Sequence, residues 1–265
     1  MHESHLNVRF DGQVARVLLN RPERMNALDA ALIAALQDFF SNLRDREDIR
    51  VVVLEGEGRI FCAGLDLKDA QSTTRRMSVG EGLMFQRRLR DVMLAMRRCP
   101  QPIIGIIDGA ASGAGMALAL SCDIRLATDS MRMNAAFVRL GASGCDMGVS
   151  YFLPRMVGSS VAAELLLTGR FLEAGRAYQL GLVSAVGTRE AMRDEAKRFI
   201  DEMLRTSPLG LRLTKEALGH AVDAACLEAA IAMEDRNQIL CLQGEDFEEG
   251  ITAFLEKRSP RYTGR

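Results

Sequence analysis

Val51-Val52-Val53-Leu54-Glu55-Gly56-Glu57-Gly58-Arg59-Ile60-Phe61-Cys62-Ala63-Gly64-Leu65-Asp66-Leu67 is an apolar, β-branched run that drops directly into a turn of small residues. The continuous apolar start predicts a strand covered on both faces. A second stretch repeats the pattern: Ile106-Ile107-Asp108-Gly109-Ala110-Ala111-Ser112-Gly113-Ala114-Gly115-Met116, again a strand, then a glycine-rich turn, then the start of a helix. Small residues let another molecule approach the backbone closely. The first N–H groups of a helix lack intrahelical partners and carry partial positive charge. Two such N–H groups aimed at one carbonyl oxygen make an oxyanion hole, and each donor is worth roughly 3 kcal/mol when charge builds on that oxygen. The plainer alternative, that these glycines only allow helices to pack closely on strands, stands beside this reading.

Outward from these turns the chain alternates. Val8–Phe10 and Val14–Leu19 flank Asp11-Gly12 and predict a hairpin. Leu28, Leu32, Leu36, Phe39 and Leu43 recur at helical spacing, and Phe85, Leu89, Val92 and Met96 do so again before Pro100 and Pro102. Residues 69–82 show no period and predict a mobile loop. Ile103–Ile107 and Ile124–Ala127 predict buried strands, with Ala114–Ser121 a helix between them. Strands separated by helices imply crossovers and a largely parallel sheet. Beyond about residue 158 the pattern changes to helices, over 159–168, 173–180, 190–206, 210–240 and 245–257. The expected fold is α/β with an α-helical C-terminal region, divided into 1–195 and 196–265.

Composition narrows the function classes. The 265 residues carry 34 Lys+Arg against 35 Asp+Glu, and 48% are hydrophobic, so disordered, collagen-like and strongly basic proteins are excluded. Six cysteines form no CxxC pair, and His2, His5 and His220 have no zinc spacing, so no metal is expected. Most of these thiols are expected to be buried in a reducing compartment. The N-terminus has no basic region followed by an apolar one, and Asp108-Gly109 interrupts the apolar run 103–122. A cytoplasmic chain without a membrane span is therefore expected. Gly113-Ala114-Gly115 lacks the third glycine of a dinucleotide fingerprint, no GxxxxGK[ST] occurs, and Ser112 is not in GxSxG. No redox or nucleotide cofactor follows.

The chain resembles the crotonase (enoyl-CoA hydratase/isomerase) superfamily from about Val8 to Arg258. The blocks that carry the resemblance are Leu19-Asn20-Arg21-Pro22-Glu23-Arg24-Met25-Asn26-Ala27-Leu28, Phe61–Leu67, Gly109–Ile124, Leu153-Pro154-Arg155, Leu167-Thr168-Gly169-Arg170, Gly181-Leu182-Val183 and Ala253–Pro260. They are specific for fold and weakly specific for reaction. The resemblance implies a core of repeated ββα units, a C-terminal trimerisation region, a homotrimer or dimer of trimers, and an acyl-CoA thioester as substrate, coenzyme A entering with it. It implies that the N–H groups of Leu65 and Ala114, with Gly113 as the alternative register, hold the thioester oxygen. Arg24, Ala27, Ala63, Gly64, Asp66, Leu67 and Lys68 are then expected at the substrate. Phe254 and Lys257 are expected to join them from a neighbouring subunit.

The resemblance also shows a departure. The two positions at which hydratases of this family carry glutamates are Ala117 and Phe137 here, and neither side chain moves a proton. Asp146 stands where dienoyl-CoA and ring-epoxide acyl-CoA isomerases of the family carry their catalytic aspartate, which favours isomerisation over hydration. Dehalogenase chemistry would use a histidine in the preceding helix, and residues 84–98 contain none. Asp66 and Asp123 have a structural reading as caps or ion pairs, Asp123 with Arg125 two residues on. A CoA-ester-binding protein without catalysis remains an alternative. So does an RNA-binding adaptor using the arginines from Arg75 to Arg98, although solvated helix faces explain these more cheaply and nucleic acid is not expected.

Overall fold

The structure is a computed structural model that describes residues 4–68 and 77–265. The expected hairpin forms as β1 (Leu6–Asp11) and β2 (Val14–Leu19), antiparallel around Gly12. The apolar runs become β3 (Val51–Gly56), β4 (Ile103–Ile107) and β6 (Ile124–Thr128), and β9 (Ala185–Gly187) closes the far edge. Together they form a six-stranded sheet, ordered β1-β2-β3-β4-β6-β9, parallel from β2 onward. Three short strands, β5 (Ala110–Ser112), β7 (Arg132–Asn134) and β8 (Leu172–Glu173), make a second sheet.

Both faces of the main sheet are covered, as the unbroken apolar runs require. Val52 and Leu54 point into a core shared with α1 (Ala30–Asn42), α2 (Val79–Arg98) and α3 (Ala114–Ser121). Val51 and Val53 point the other way, against Met192, Ala196 and Ile200 of a later helix. The remaining helices are α4 (Val149–Val157), α5 (Ser159–Thr168), α6 (Ala174–Gln179), α7 (Arg189–Leu204), α8 (Pro208–Ala221), α9 (Leu227–Leu242) and α10 (Glu245–Leu255). Among the described residues no helix is long and apolar enough to cross a membrane.

Several expectations shift. The segment expected as a loop over 69–82 becomes helical at Val79, because Ser78 and Glu81 form a capping box. The rest of that loop, 69–76, lies outside the described residues. The single helix expected over 210–240 is two helices, broken across 222–226. The expected division at 195/196 falls inside α7, which packs on the sheet on both sides of that point. Only Cys62, Cys99 and Cys122 are buried, while Cys145 and Cys226 are exposed.

Asp123 does not pair with Arg125. Its carboxylate turns to Arg97 at 2.8 Å, to Lys215 at 2.9 Å and to the N–H of Ile103 at 2.8 Å. The guanidinium of Arg125 instead donates to backbone carbonyls, Leu182 O among them at 2.8 Å. Lys215 is buried and also reaches the carbonyl of Gln101 at 2.7 Å, so one ammonium pins α8 to the end of α2. Removing Lys215 takes a buried ammonium donor from the Met96 and Gln101 carbonyls and leaves Asp123 with Arg97 and the Ile103 N–H alone. Lys215→Ala should therefore lower the unfolding free energy by about 3 kcal/mol, measured by equilibrium urea denaturation.

Candidate active site

The two small-residue turns lie side by side. Cys62 N–H donates to Ala110 O at 3.1 Å and Ser112 N–H donates to Cys62 O at 3.0 Å, a parallel bridge between the two segments. A third segment closes on them. Asn26, fully buried, donates to Glu57 O at 2.9 Å and Ile60 O at 2.7 Å. Ala63 N–H donates to Met25 O, and Leu28 N–H donates to Gly64 O. These bonds gather Arg24, Ala27, Ala63, Gly64, Leu65, Asp66, Gly113 and Ala114 into one region.

Within it the amides divide into used and unused. Gly113 N–H donates to Asn134 O at 2.9 Å, so the alternative register for the second donor is already spent. Among the described residues neither Leu65 N–H nor Ala114 N–H has a hydrogen-bond partner. Ala114 opens α3 as its first helical residue, where an N–H is orphaned by geometry. The two donors are close: a Cβ placed on Gly64, the residue before Leu65, would stand 3.4 Å from Ala114 N and 2.6 Å from Ser112 O. Gly64 has φ +99° and Gly113 has φ 53° with ψ −116°. Both conformations disfavour any side chain, so both turns depend on glycine.

The side chains beside these amides include apolar and unreactive ones. Ala117 is fully buried. The Phe137 ring lies over Gly113, its edge 3.4 Å from where a Cβ would stand. Burial pushes the Cys62 thiol up to about 12, so this neighbour is no nucleophile at neutral pH. Asp66 is held by Arg21 at 3.1 Å, and Arg21 also meets Asp29 at 3.3 Å. Its carboxylate therefore serves the scaffold that carries Leu65. Arg24, Leu67 and Lys68 are exposed beside the turn. Phe254 and Lys257 stand at the end of α10, Phe254 being 83% exposed, and among the described residues no hydrogen bond or ion pair joins their side chains to this region.

Asp146 lies on the loop that leaves Phe137 and enters α4. It lines a cleft of about 420 Å³ with Leu83, Gln86, Arg87, Cys145 and Ser150. Gln86 donates to its carboxylate, a partner with no motif signal in the sequence. The only hint was position, on the same face of α2 as Leu83 and Arg90. Glu164 is not a second acid for this cleft, because Arg176 and Arg170 hydrogen-bond its carboxylate and hold it down at about 2. The arginines of α2 do not form one free basic face: Arg97 pairs with Asp123 and Arg90 with Asp91. Arg75 and Arg76 lie outside the described residues.

Asp108 fixes the second turn from behind. Burial works against its ionisation, but hydrogen bonds from Thr128, Arg189 and Ser130 outweigh it and hold the carboxyl below the usual range. A depressed folded value means stability present above the unfolded value and lost as pH falls through the folded one. The stability gap between wild type and Asp108→Asn should be widest above pH 5 and close below about pH 4, read from denaturation midpoints across that range.

Comparison with known proteins gives the family. The profile of the enoyl-CoA hydratase/isomerase family matches residues 9–265. A probable enoyl-CoA hydratase of Mycobacterium tuberculosis is 38% identical over 258 residues, covering 95% of this chain and 90% of the relative. A 1,2-epoxyphenylacetyl-CoA isomerase of Escherichia coli is 33% identical over 252 residues, covering 95% of each. A crystal structure from Streptomyces coelicolor A3(2) superposes with a TM-score of 0.94 at 38% identity, covering 100% of this chain and 96% of that one. The chain belongs to the enoyl-CoA hydratase/isomerase family, with the crotonase fold, and is an enzyme of acyl-CoA chemistry.

Proposed function

We propose that this enzyme isomerises an unsaturated acyl-CoA, with the Leu65 and Ala114 amides holding the thioester oxygen and Asp146 moving the proton. The observation that carries this reading is the pair of neighbouring amides without partners, at a site whose other amide, Gly113 N–H, is spent. The Asp146 carboxylate removes a proton beside the acyl conjugated system. The electron pair moves into the thioester, leaving negative charge on its oxygen between the two donors. The carboxylic acid then returns the proton at a different carbon and the double bond shifts. Backbone donors serve this enolate whatever the acyl group, so reaction choice falls to the side chains.

Hydration is the second reading, favoured by the name of the mycobacterial relative. It lacks the usual pair of glutamates, since Ala117 and Phe137 occupy those positions. The substrate-facing roles of Arg24, Ala27, Ala63, Gly64, Leu67 and Lys68 are part of the same proposal, as is a cytoplasmic location. A trimer or a dimer of trimers is proposed for the C-terminal helices. In its support, Leu227, Phe254 and Leu255 are 71%, 83% and 73% exposed, and α9 buries none of its residues within one chain.

Incubation with 2-enoyl-, 3-enoyl- and dienoyl-CoA panels tests the reaction. Asp146→Asn should lower turnover at least a hundredfold while thioester binding survives. Unchanged turnover would remove Asp146 from the mechanism. Gly64→Ala forces a methyl against Ser112 O and should cost about a hundredfold in kcat/KM, with folding checked by circular dichroism.

A further inference from the structure

We propose that Gln86 is the positioning residue that decides which oxygen of Asp146 exchanges the proton, an inference that rests on the role of Asp146 given above. Both hydrogen bonds to the carboxylate fall on one oxygen. The Gln86 side-chain amide donates to Oδ1, and Met147 N–H donates to the same atom at 2.7 Å. An ionised carboxylate only accepts, so Gln86 must present its NH2 group there. Among the described residues Oδ2 has no hydrogen-bond partner. An oxygen already accepting two donors is the weaker base, so Oδ2 is the atom left to take and return a proton.

The arrangement is built, not incidental. Met147 adopts φ 48° and Gly148 φ 86°, two left-handed residues in succession. A methionine in that region needs support from its surroundings. It has three kinds: its own side chain is buried in the core, Val149 N–H donates to Asp146 O at 3.0 Å, and Gln86 grips the carboxylate from across the cleft. Gln86 in turn is three residues before Leu89, which is buried with Val92 and Met93 in the main core. The hydrogen bond therefore ties the loop carboxylate to a rigid helix. A neutral amide does this without neutralising the negative charge that the carboxylate needs as a base.

Gln86→Leu tests the proposal beside Asp146→Asn and the double variant, each assayed on the three acyl-CoA panels. The expected result for Gln86→Leu is a fall in kcat of about tenfold with KM changed less than twofold, since geometry of the base is lost and not substrate affinity. In the Asp146→Asn background the same change should have no further effect on kcat. A general packing role would instead lower thermal stability and act equally in both backgrounds, and that result overturns the inference. So does an unchanged kcat in Gln86→Leu while Asp146→Asn is inactive. If Asp146→Asn retains full turnover, or if no panel substrate is turned over by the wild type, the reading of Asp146 fails and this inference fails with it.

Discussion

The whole site depends on one short parallel bridge, between Cys62 and Ala111. Two hydrogen bonds, Cys62 N–H to Ala110 O and Ser112 N–H to Cys62 O, lay the end of one strand–turn unit against the end of the next. Everything else follows from that contact. Gly115 packs so closely on the Cys62 carbonyl that a Cβ there would come within 2.1 Å of it, and a Cβ on Gly64 would come within 2.6 Å of Ser112 O. With the chains this near, one amide a little further along each of them, Leu65 N–H and Ala114 N–H, is left without a partner in the same region. The donors are thus a by-product of how two parallel units meet: they are main-chain groups presented by main-chain pairing, while the side chains of Asn26, Asp66 and Asp108 brace the turns that carry them.

That origin explains why the family can vary its chemistry over a constant fold. Main-chain donors answer to backbone geometry, which the core enforces through both faces of the sheet. Acid and base groups answer to single positions on loops and helix ends. Here the two positions after the second turn are apolar, and a carboxylate stands instead on the loop that begins at Phe137 and ends at α4. The loop is connected to the site mechanically as well as by sequence. Phe137 covers Gly113, Ala142 N–H returns to Phe137 O at 3.1 Å, and Gly144 packs on Leu166 O.

Much of this was legible in the sequence, for physical reasons that differ by element. Val51–Leu54 and Ile103–Ile107 read as strands because the central strands of a sheet covered on both faces are near-continuous apolar runs. Ala114–Ser121 read as a helix because it follows a turn that only glycine accommodates. The start of α2 was not legible, since a capping box at Ser78 and Glu81 acts where hydrophobic period is absent. The break between α8 and α9 was missed for the opposite reason: apolar residues continue at helical spacing through both helices. The pairing of Asp123 with Lys215 and Arg97 joins residues far apart in sequence, so the nearby Arg125 looked the better partner. The same limit hid Gln86, a residue type without a motif, whose importance arises only where α2 crosses the Asp146 loop. The choice between Gly113 and Ala114 needed the coordinates too, because it turns on one hydrogen bond from Asn134.

The apolar residues near the amides bear on which reaction the site favours. Charge on a thioester oxygen is stabilised more strongly by the same two N–H groups when the surroundings exclude water. Ala117 and Phe137 are apolar, and at the positions where the resemblance places the hydratase glutamates they offer no group to hold a water molecule. Hydration needs that water at the β carbon. A proton shift needs only one base that can reach two carbons, and a carboxylate with one oxygen fixed and the other free meets that need. On this reasoning the apolar residues at 117 and 137 and the single tethered aspartate suit the same proposed chemistry, an enolate that is protonated before water can add.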